Sequence, residues 1–148
     1  KPLDIQPAVG IEQLDKLPEF TARRKENFGK LYSIFSRHSD YFHLPVSLPK
    51  ADPSWFGFPL TVKDDAGFTR EDFTGHLEAN LIETRVMFAG NILNHPAYSD
   101  IKCRIAEPLV NSDKVFRSTM FMGVYPGIGQ EQIEYIKEVV DKFFENRK

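Results

Sequence analysis

The segment ETRVMFAGN, residues 83–91, places several ligand-binding groups close together in the chain. The guanidinium of Arg85 is a rigid fork of N–H donors that suits hydroxyl or phosphate oxygens. Phe88 supplies an aromatic face, and the Asn91 amide can both donate and accept hydrogen bonds. Gly90 lets another group approach the backbone closely. We predict that this segment leaves the end of an amphipathic helix and faces a binding partner.

No other part of the sequence offers a catalytic constellation. Four histidines occur without zinc-ligand spacing, and they are His38, His43, His76 and His95. Nucleophile-elbow, Walker and dinucleotide motifs are absent from the sequence. The segment GVYPGIG, residues 123–129, precedes a helix, but Pro126 removes one backbone donor, so a plain turn is favoured over an anion site. The sequence therefore assigns no catalytic, cofactor-binding or metal-binding residue.

Length and composition indicate one soluble domain of ordinary size. The chain has 148 residues, of which 41% are hydrophobic and 27% charged, and 13 are phenylalanine, which favours an aromatic core. A net charge of −2 gives no bulk attraction to nucleic acid or to a membrane surface. Cys103 is the single thiol, so we expect a reducing, cytoplasmic location. The first residues read as though cut from a longer protein.

The hydrophobic pattern predicts an α+β domain, a small antiparallel sheet with packed helices. Helices are expected at 11–38, 68–85 and 130–148, and strands at 55–63 and 118–127. Pro18 should kink the first helix or start a second one, and Pro59 indicates an edge strand or a bulge. Thr69 is the predicted N-cap of the second helix, with Asp72 completing a capping box and Phe68 packing on Phe73 as a hydrophobic staple.

Three segments together resemble a known family. Residues 55–98 and 121–144 are similar to the C-terminal domain of DegT-type sugar-nucleotide dehydrases of lipopolysaccharide biosynthesis, especially the CDP-4-keto-6-deoxy-D-glucose-3-dehydrase type. Residues 4–28 resemble the segment that leaves the large domain and forms a long linking helix. The succession of FAGN, HPAY and GVYPG is a specific combination. The resemblance covers nearly the whole chain, and it implies a boundary between linking helix, 1–38, and small domain, 39–148.

The resemblance implies a type I pyridoxal-phosphate fold. Such enzymes use pyridoxal or pyridoxamine phosphate, bound by the large domain, to remove the C3 hydroxyl of a 4-keto-6-deoxy nucleotide sugar on the way to 3,6-dideoxyhexoses. A homodimer is expected, and the CDP-sugar branch also has an iron–sulfur cluster outside this chain and a reductase partner. The large-domain machinery is missing from the sequence, so we expect the isolated chain to be inactive.

In the family the small domain closes one side of the active-site cleft. The resemblance therefore implies that Arg85, Phe88 and Asn91 line the substrate side, with Trp55 and Phe56 nearby. The alternative interpretation is purely structural. Arg85 would then pair with Glu83 or Glu78 at the surface, Phe88 would be a core residue, and Gly90–Asn91 would end a helix.

Two other functions fit the same sequence features. One is the small domain of a pyridoxal-phosphate-dependent sugar aminotransferase, which a lysine rather than a histidine at the upstream cofactor position would indicate. The other is a stand-alone binding or assembly module, which the open edges of a small sheet would serve. The nucleotide and the sugar are not specified by these residues.

Overall fold

The computed structural model describes residues 3–145, whereas residues 1, 2 and 146–148 lie outside the described part of the chain. The regular elements, in chain order, are α1 (Ile5–Phe35), β1 (Phe42–His43), β2 (Gly57–Val62), α2 (Arg70–Ala79), β3 (Thr84–Val86), α3 (Val110–Ser118), β4 (Thr119–Gly123) and α4 (Gln130–Glu145). Short 3₁₀ turns occupy Ser36–His38, Ile92–Asn94 and Pro96–Tyr98. The last three residues of the predicted closing helix are among those not described.

The four strands form one antiparallel sheet in the order β1-β2-β4-β3. Phe58 on β2 is paired with Met122 on β4, and both side chains are buried in the hydrophobic core. Pro59 and Phe121 form the next pair, and they point to the opposite face because side chains alternate along a strand. The predicted α+β architecture with a small antiparallel sheet is confirmed, and two of its strands, β1 and β3, were not predicted.

Pro59 lies in an interior strand rather than in the edge strand that the sequence suggested. β2 has β1 on one side and β4 on the other. The ladder with β1 includes only Thr61 and Val62, so β4 is the one described neighbour of β2 at Pro59. A proline is tolerated there because this stretch of β2 is locally an edge, where an N–H can be missing without loss of a ladder hydrogen bond.

The first helix is longer than predicted and does not stop at Pro18, so the prediction of a second helix there was wrong. Only its C-terminal end joins the core, through Asn27, Leu31, Ile34 and Phe35. Its N-terminal half carries a series of exposed apolar side chains at Ile5, Val9, Ile11, Leu14, Leu17 and Phe20. The boundary between linking helix and small domain at residue 38 stays a prediction.

Aromatic rings fill much of the space between the sheet and the helices. The phenylalanines buried in the core are Phe35, Phe42, Phe58, Phe73, Phe143 and Phe144. The Phe73 ring lies near the centre of this group, with its centroid 5.0 Å from that of Phe143 and 5.1 Å from that of Phe42. The aromatic core expected from the composition is thus confirmed for these residues, and α4 contributes the buried residues of one face to it.

The start of α2 forms as the sequence predicts. The Thr69 hydroxyl accepts a hydrogen bond from the Asp72 N–H at 3.1 Å, and the Asp72 carboxylate accepts one from the Thr69 N–H at 2.8 Å. Two backbone donors that a helix start would leave unpaired are thereby satisfied. The rings of Phe68 and Phe73 lie 6.2 Å apart, which confirms the predicted staple.

Thr69→Ala is expected to lower the free energy of unfolding by about 1 kcal/mol, because the cap loses its side-chain acceptor. Urea denaturation followed by far-UV circular dichroism measures the change. Thr74→Ala, within the same helix, removes the same atoms without removing a cap, and it should leave stability within about 0.5 kcal/mol of the wild type. Equal losses in both variants would contradict a specific role for the capping box.

The end of α2 differs from the prediction, which extended the helix towards residue 85. The helix ends at Ala79, and Leu81 follows with a left-handed φ of 60°. The Ile82 N–H bonds to the Leu77 carbonyl and the Leu81 N–H to the Glu78 carbonyl, each at 3.0 Å, which is the Schellman arrangement. Glycine normally occupies the left-handed position of this motif, so the stop was not visible in the sequence.

The chain then enters β3, an edge strand that replaces the predicted helix exit. The helix α3, which precedes β4, was not predicted. β4 itself covers Thr119–Gly123 of the predicted strand 118–127.

Candidate functional site

The face of the sheet opposite the core is organised around Phe121. This ring is buried, yet it is not part of the main core cluster. It packs over Gly57, where a Cβ atom would come within 2.5 Å of Cδ2 of Phe121. Glycine at this position therefore lets the ring lie flat against the sheet, because any side chain would displace it.

Three of the predicted site residues surround Phe121. The Phe56 and Phe88 centroids lie 5.7 and 6.1 Å from that of Phe121, and their side chains are 67% and 75% exposed. Trp55 stacks on Phe28 at 4.8 Å and, with Phe56, Phe88 and Phe121, lines a small apolar cavity of about 150 Å³. We call Trp55, Phe56, Phe88 and Phe121 the aromatic face.

Arg85 lies at the edge of the aromatic face. It is paired with Phe121 across the β3–β4 ladder and lines a cavity of about 490 Å³ with Phe56 and Phe88. Its guanidinium forms an ion pair with Glu83, with Nη2 2.6 Å from Oε1, and both side chains are exposed. The ion pair expected under the structural interpretation is therefore present, whereas the core position that this interpretation gave to Phe88 is not.

Asn91 does not join the other predicted residues. Its side chain is buried, its Oδ1 accepts from the Leu93 N–H at 3.1 Å, and its Nδ2 donates to Asp113 at 2.8 Å. Asn94 donates to the same Asp113 oxygen at 2.7 Å. Hydrogen bonds from Asn91 and Asn94 lower the pKa of Asp113, because they stabilise its ionised form. These hydrogen bonds hold the 92–94 turn against α3.

Gly90 makes the predicted close approach to another part of the backbone, and that part belongs to the helix α3. Its φ is 58°, and a Cβ atom there would lie 2.6 Å from the Phe116 Cα on α3. The helix C-cap proposed for Gly90–Asn91 is wrong, because α2 ends eleven residues earlier at Ala79 and Asn91 caps the 92–94 turn instead. Gly90 and Asn91 together fix the segment that follows Phe88.

Two of the four histidines, His76 and His95, contact backbone carbonyl oxygens. The His76 Nε2 lies 2.9 Å from the Val139 carbonyl oxygen, and the His95 Nε2 lies 2.8 Å from that of Ala89. Within residues 3–145, no three His, Cys, Asp or Glu side chains are grouped closely enough to hold a metal ion. In the same range, none of the helices has the length and apolarity needed to cross a membrane.

Phe121 is the residue of this surface that the sequence analysis did not single out. It stands between Met120 and Met122, in a strand whose residues 119–122 are all buried. A uniformly apolar strand hides the alternation that would reveal which residue faces away from the core. The order of the strands supplies that information, because it places Phe121 between Pro59 and Arg85.

Known proteins with similar sequences include sugar-nucleotide 3-dehydratases. The chain is 43% identical over 143 residues to dTDP-4-dehydro-2,6-dideoxy-D-glucose 3-dehydratase of Saccharopolyspora spinosa, covering 97% of this chain and 31% of that protein. It is 36% identical over 141 residues to the lipopolysaccharide biosynthesis protein RfbH of Salmonella typhimurium, covering 95% of this chain and 32% of that protein. The chain thus spans about a third of the length of these relatives.

A solved structure has the same fold as this chain. It is the E. coli GDP-4-keto-6-deoxy-D-mannose-3-dehydratase with bound hydrated PLP, with a TM-score of 0.82 and 29% identity over 94% of this chain and 35% of that one. The model of the DegT/DnrJ/EryC1/StrS aminotransferase family matches residues 3–141. Because this match extends over most of its residues, the chain belongs to the DegT/DnrJ/EryC1/StrS aminotransferase family.

Proposed function

We propose that this chain is the C-terminal part of a sugar-nucleotide 3-dehydratase that uses pyridoxal or pyridoxamine phosphate to make 3,6-dideoxyhexose precursors of lipopolysaccharide. Residues 1–38 provide the end of a large-domain segment and the linking helix, and residues 39–148 form the small domain. The observation that carries the proposal is the open aromatic face with Arg85 at its edge, in a chain 43% identical to a known 3-dehydratase.

The exposed apolar side chains in the N-terminal half of α1 support the presence of a second, larger domain beside this one. The apolar side chains of its N-terminal half, from Ile5 to Phe20, have no core to enter within residues 3–145. Exposed apolar side chains in this number on one helix are typical of an interface. In the proposal, the large domain of the same protein covers these side chains.

The residues described here do not fit a pyridoxal-phosphate site of their own. Such a site needs an amine or imidazole at the cofactor carbon and a carboxylate near the ring nitrogen. Five of the cavities within residues 3–145, including those around Arg85 and the aromatic face, have no lysine or histidine in their lining. The cofactor is therefore assigned to the large domain, and no chemical step is assigned to this chain.

Arg85 has the placement and the freedom needed to contact a substrate. Its ion pair with Glu83 is exposed on both sides, and exposed pairs contribute only about 0–1 kcal/mol, so a substrate oxygen can replace the carboxylate as acceptor. The guanidinium could then donate to a sugar hydroxyl or a phosphoryl oxygen from the edge of the cleft.

Phe88 adds a second feature typical of a binding surface. Its φ of 44° is strained for a residue with a bulky side chain, and the ring is 75% exposed rather than packed in the core. Strain of this kind often persists where function requires it. In the proposal, Phe56 and Phe88 cover the sugar and exclude water, Trp55 supports them from behind, and Asn91 fixes the backbone that follows Phe88.

Arg85→Ala in the longer protein is expected to lower kcat/KM by roughly 10- to 100-fold, because a charged hydrogen bond to substrate is lost. The assay supplies pyridoxamine phosphate and 4-keto-6-deoxy sugars linked to CDP, dTDP or GDP, and mass spectrometry follows loss of the C3 oxygen. Arg117→Ala, an exposed arginine on α3, is the matched control and should leave kcat/KM unchanged. Unchanged kinetics in Arg85→Ala would reject the substrate-facing role.

Measurements on the longer protein also distinguish the CDP-sugar dehydratase from the other candidate enzymes. The CDP-sugar branch includes an iron–sulfur cluster outside these residues and a separate reductase, so it predicts iron and acid-labile sulfide in the longer protein. Transfer of an amino group to the sugar, without loss of the C3 oxygen, would identify an aminotransferase instead. The homodimer included in the proposal is tested by sedimentation of the longer protein.

A further inference from the structure

One turn of α1, residues 25–28, lies where the helix leaves the hydrophobic core. Asn27 is the first buried side chain along α1, and Phe35 is the last. The large apolar side chains between residues 5 and 20 are exposed. The direction of the exposed half of the helix therefore depends on the contacts that hold the packed half, and the 25–28 turn makes the contacts nearest to the exposed half.

Asn27 makes a buried polar contact in this turn. Its side chain is only 1% exposed, and its Nδ2 donates to the Tyr125 carbonyl at 2.8 Å, across 98 residues of sequence. The same carbonyl accepts from the Ile128 N–H at 3.1 Å, so the Asn27 amide binds a loop that is already closed on itself. Breaking the contact is costly, because a buried amide that loses its acceptor has no access to water as a replacement.

Two further contacts hold the turn to the segment 44–56, which connects β1 and β2. The Phe28 ring stacks on Trp55, with the centroids 4.8 Å apart and the planes 6° from parallel. The Nζ of Lys25 lies 2.6 Å from Oδ2 of Asp52, but the Asp52 side chain is 85% exposed, so this ion pair contributes little. Consecutive side chains project from a helix about 100° apart, so Asn27 and Phe28 hold the turn from two different sides.

The geometry of a helix magnifies a displacement at Asn27. At about 1.5 Å per residue, the packed part from Asn27 to Phe35 is about 12 Å long, and the whole helix is about 45 Å long. If the helix stays straight and is held at Phe35, a displacement of about 1 Å at Asn27 becomes one of roughly 4 Å at Ile5. Small changes in the 25–28 turn are thus large changes at the far end of the helix.

We propose that the 25–28 turn is a joint that sets the direction of α1 relative to the sheet, with Asn27 as its positioning residue. Phe28 connects the joint to the aromatic face, because its stacking partner Trp55 lines the cavity of that face. The joint thereby couples the direction of the helix to the surface that is proposed to meet the substrate. The large domain at the other end of α1 rests on the proposed function, whereas the joint itself does not.

In the longer protein, the joint would determine how closely the aromatic face and Arg85 approach a substrate held by the large domain. A loosened joint would place these groups correctly in only a fraction of the molecules. The apparent affinity for the substrate falls by that same fraction. Asn27 would therefore act on the reaction without touching the substrate.

The test measures the distance between spin labels on α1 and α4 of the 148-residue chain by pulsed electron paramagnetic resonance. The labels are attached at Glu12→Cys and Glu134→Cys, two exposed helix positions, in a Cys103→Ser background that has no other thiol. Asn27→Ala should shift or widen the distance distribution by about 3 Å or more, because the helix magnifies the change. Asn80→Ala is the matched control. It also removes an amide-to-carbonyl hydrogen bond, of 2.9 Å, but at the end of α2, and should leave the distribution unchanged.

Phe28→Leu loosens the joint from its other side, since it removes the ring stack while keeping an apolar side chain, and it should shift the same distance. If Asn27→Ala does not have a native circular-dichroism spectrum, Phe28→Leu decides, and an unchanged distance in that variant contradicts the joint. In a folded Asn27→Ala variant, an unchanged distribution, or a shift equal to that of Asn80→Ala, would overturn the inference.

Kinetics of the longer protein test the positioning role of Asn27. Asn27→Ala is expected to raise KM about threefold or more, with a smaller change in kcat, because contacts to the bound substrate are weakened. Loss of stability alone would remove active molecules, which lowers the apparent kcat and leaves KM unchanged. A shifted label distance with an unchanged KM would limit Asn27 to a role in the fold and reject its role in the reaction.

The outcome is separable from that of the proposed function. A shifted label distance in Asn27→Ala, together with a longer protein that deoxygenates no nucleotide sugar, would support the joint and reject the dehydratase. A longer protein that removes the C3 oxygen, but in which Asn27→Ala changes neither the label distance nor KM, would support the dehydratase and reject the joint.

Discussion

Phe73→Ala is expected to lower the free energy of unfolding by about 3–5 kcal/mol, the range for removing a fully buried phenylalanine ring. Phe73 is completely inaccessible to solvent and packs against the rings of Phe42 and Phe143. Those neighbours belong to a strand and to the closing helix, so the cavity cannot collapse without moving both. Urea denaturation of the chain, followed by circular dichroism, measures the loss.

Phe88→Ala is the matched control for that experiment, because it removes the same atoms from an exposed position. We expect its free energy of unfolding to stay within about 0.5 kcal/mol of the wild type. A comparable loss in the two variants would show that Phe88 is part of the core, as the structural interpretation of the sequence had it.

Gly90→Ala is expected to lower the free energy of unfolding by about 2–5 kcal/mol through two additive effects. A left-handed φ of 58° costs an L-residue about 1–2 kcal/mol. The new Cβ would also lie 2.6 Å from the Phe116 Cα, and overpacking typically costs about 1–3 kcal/mol. The contact is with helix backbone, so α3 itself would have to shift.

Gly67→Ala separates these two effects. Gly67 also has a positive φ, 76°, but no atom lies within 4 Å of the position its Cβ would occupy. Gly67→Ala should therefore lower the free energy of unfolding only by the conformational cost of about 1–2 kcal/mol, as measured by the same denaturation. If Gly67→Ala and Gly90→Ala were equally destabilising, close packing of Gly90 on α3 would not contribute to stability.

The shift of α3 that is expected in Gly90→Ala would also affect binding. Gly90 and Asn91 connect α3 to the segment that carries Phe88, and Asn91 does so through Asp113. In the proposed function, Gly90→Ala would therefore disturb the aromatic face as well as the fold, whereas Gly67→Ala, in a different loop, would not.

Local patterns predicted those elements whose determinants are close together in the chain. The capping box of α2 and its staple depend on residues three to five positions apart, and both are present as predicted. The stop of α2 was missed because Leu81 occupies a position where glycine is the usual signal. β3 was missed with it, since three residues offer too short a pattern to recognise.

The sequence by itself determined the secondary-structure class, the aromatic composition of the core and the family resemblance, because these depend on residue types and short spacings. Only the tertiary structure decided how the ligand-binding candidates are grouped. Pairing of β3 with β4 brought Arg85 beside Phe121, and packing against α3 drew Asn91 away into a structural role. Such groupings depend on contacts between residues far apart in the chain, which no local spacing records.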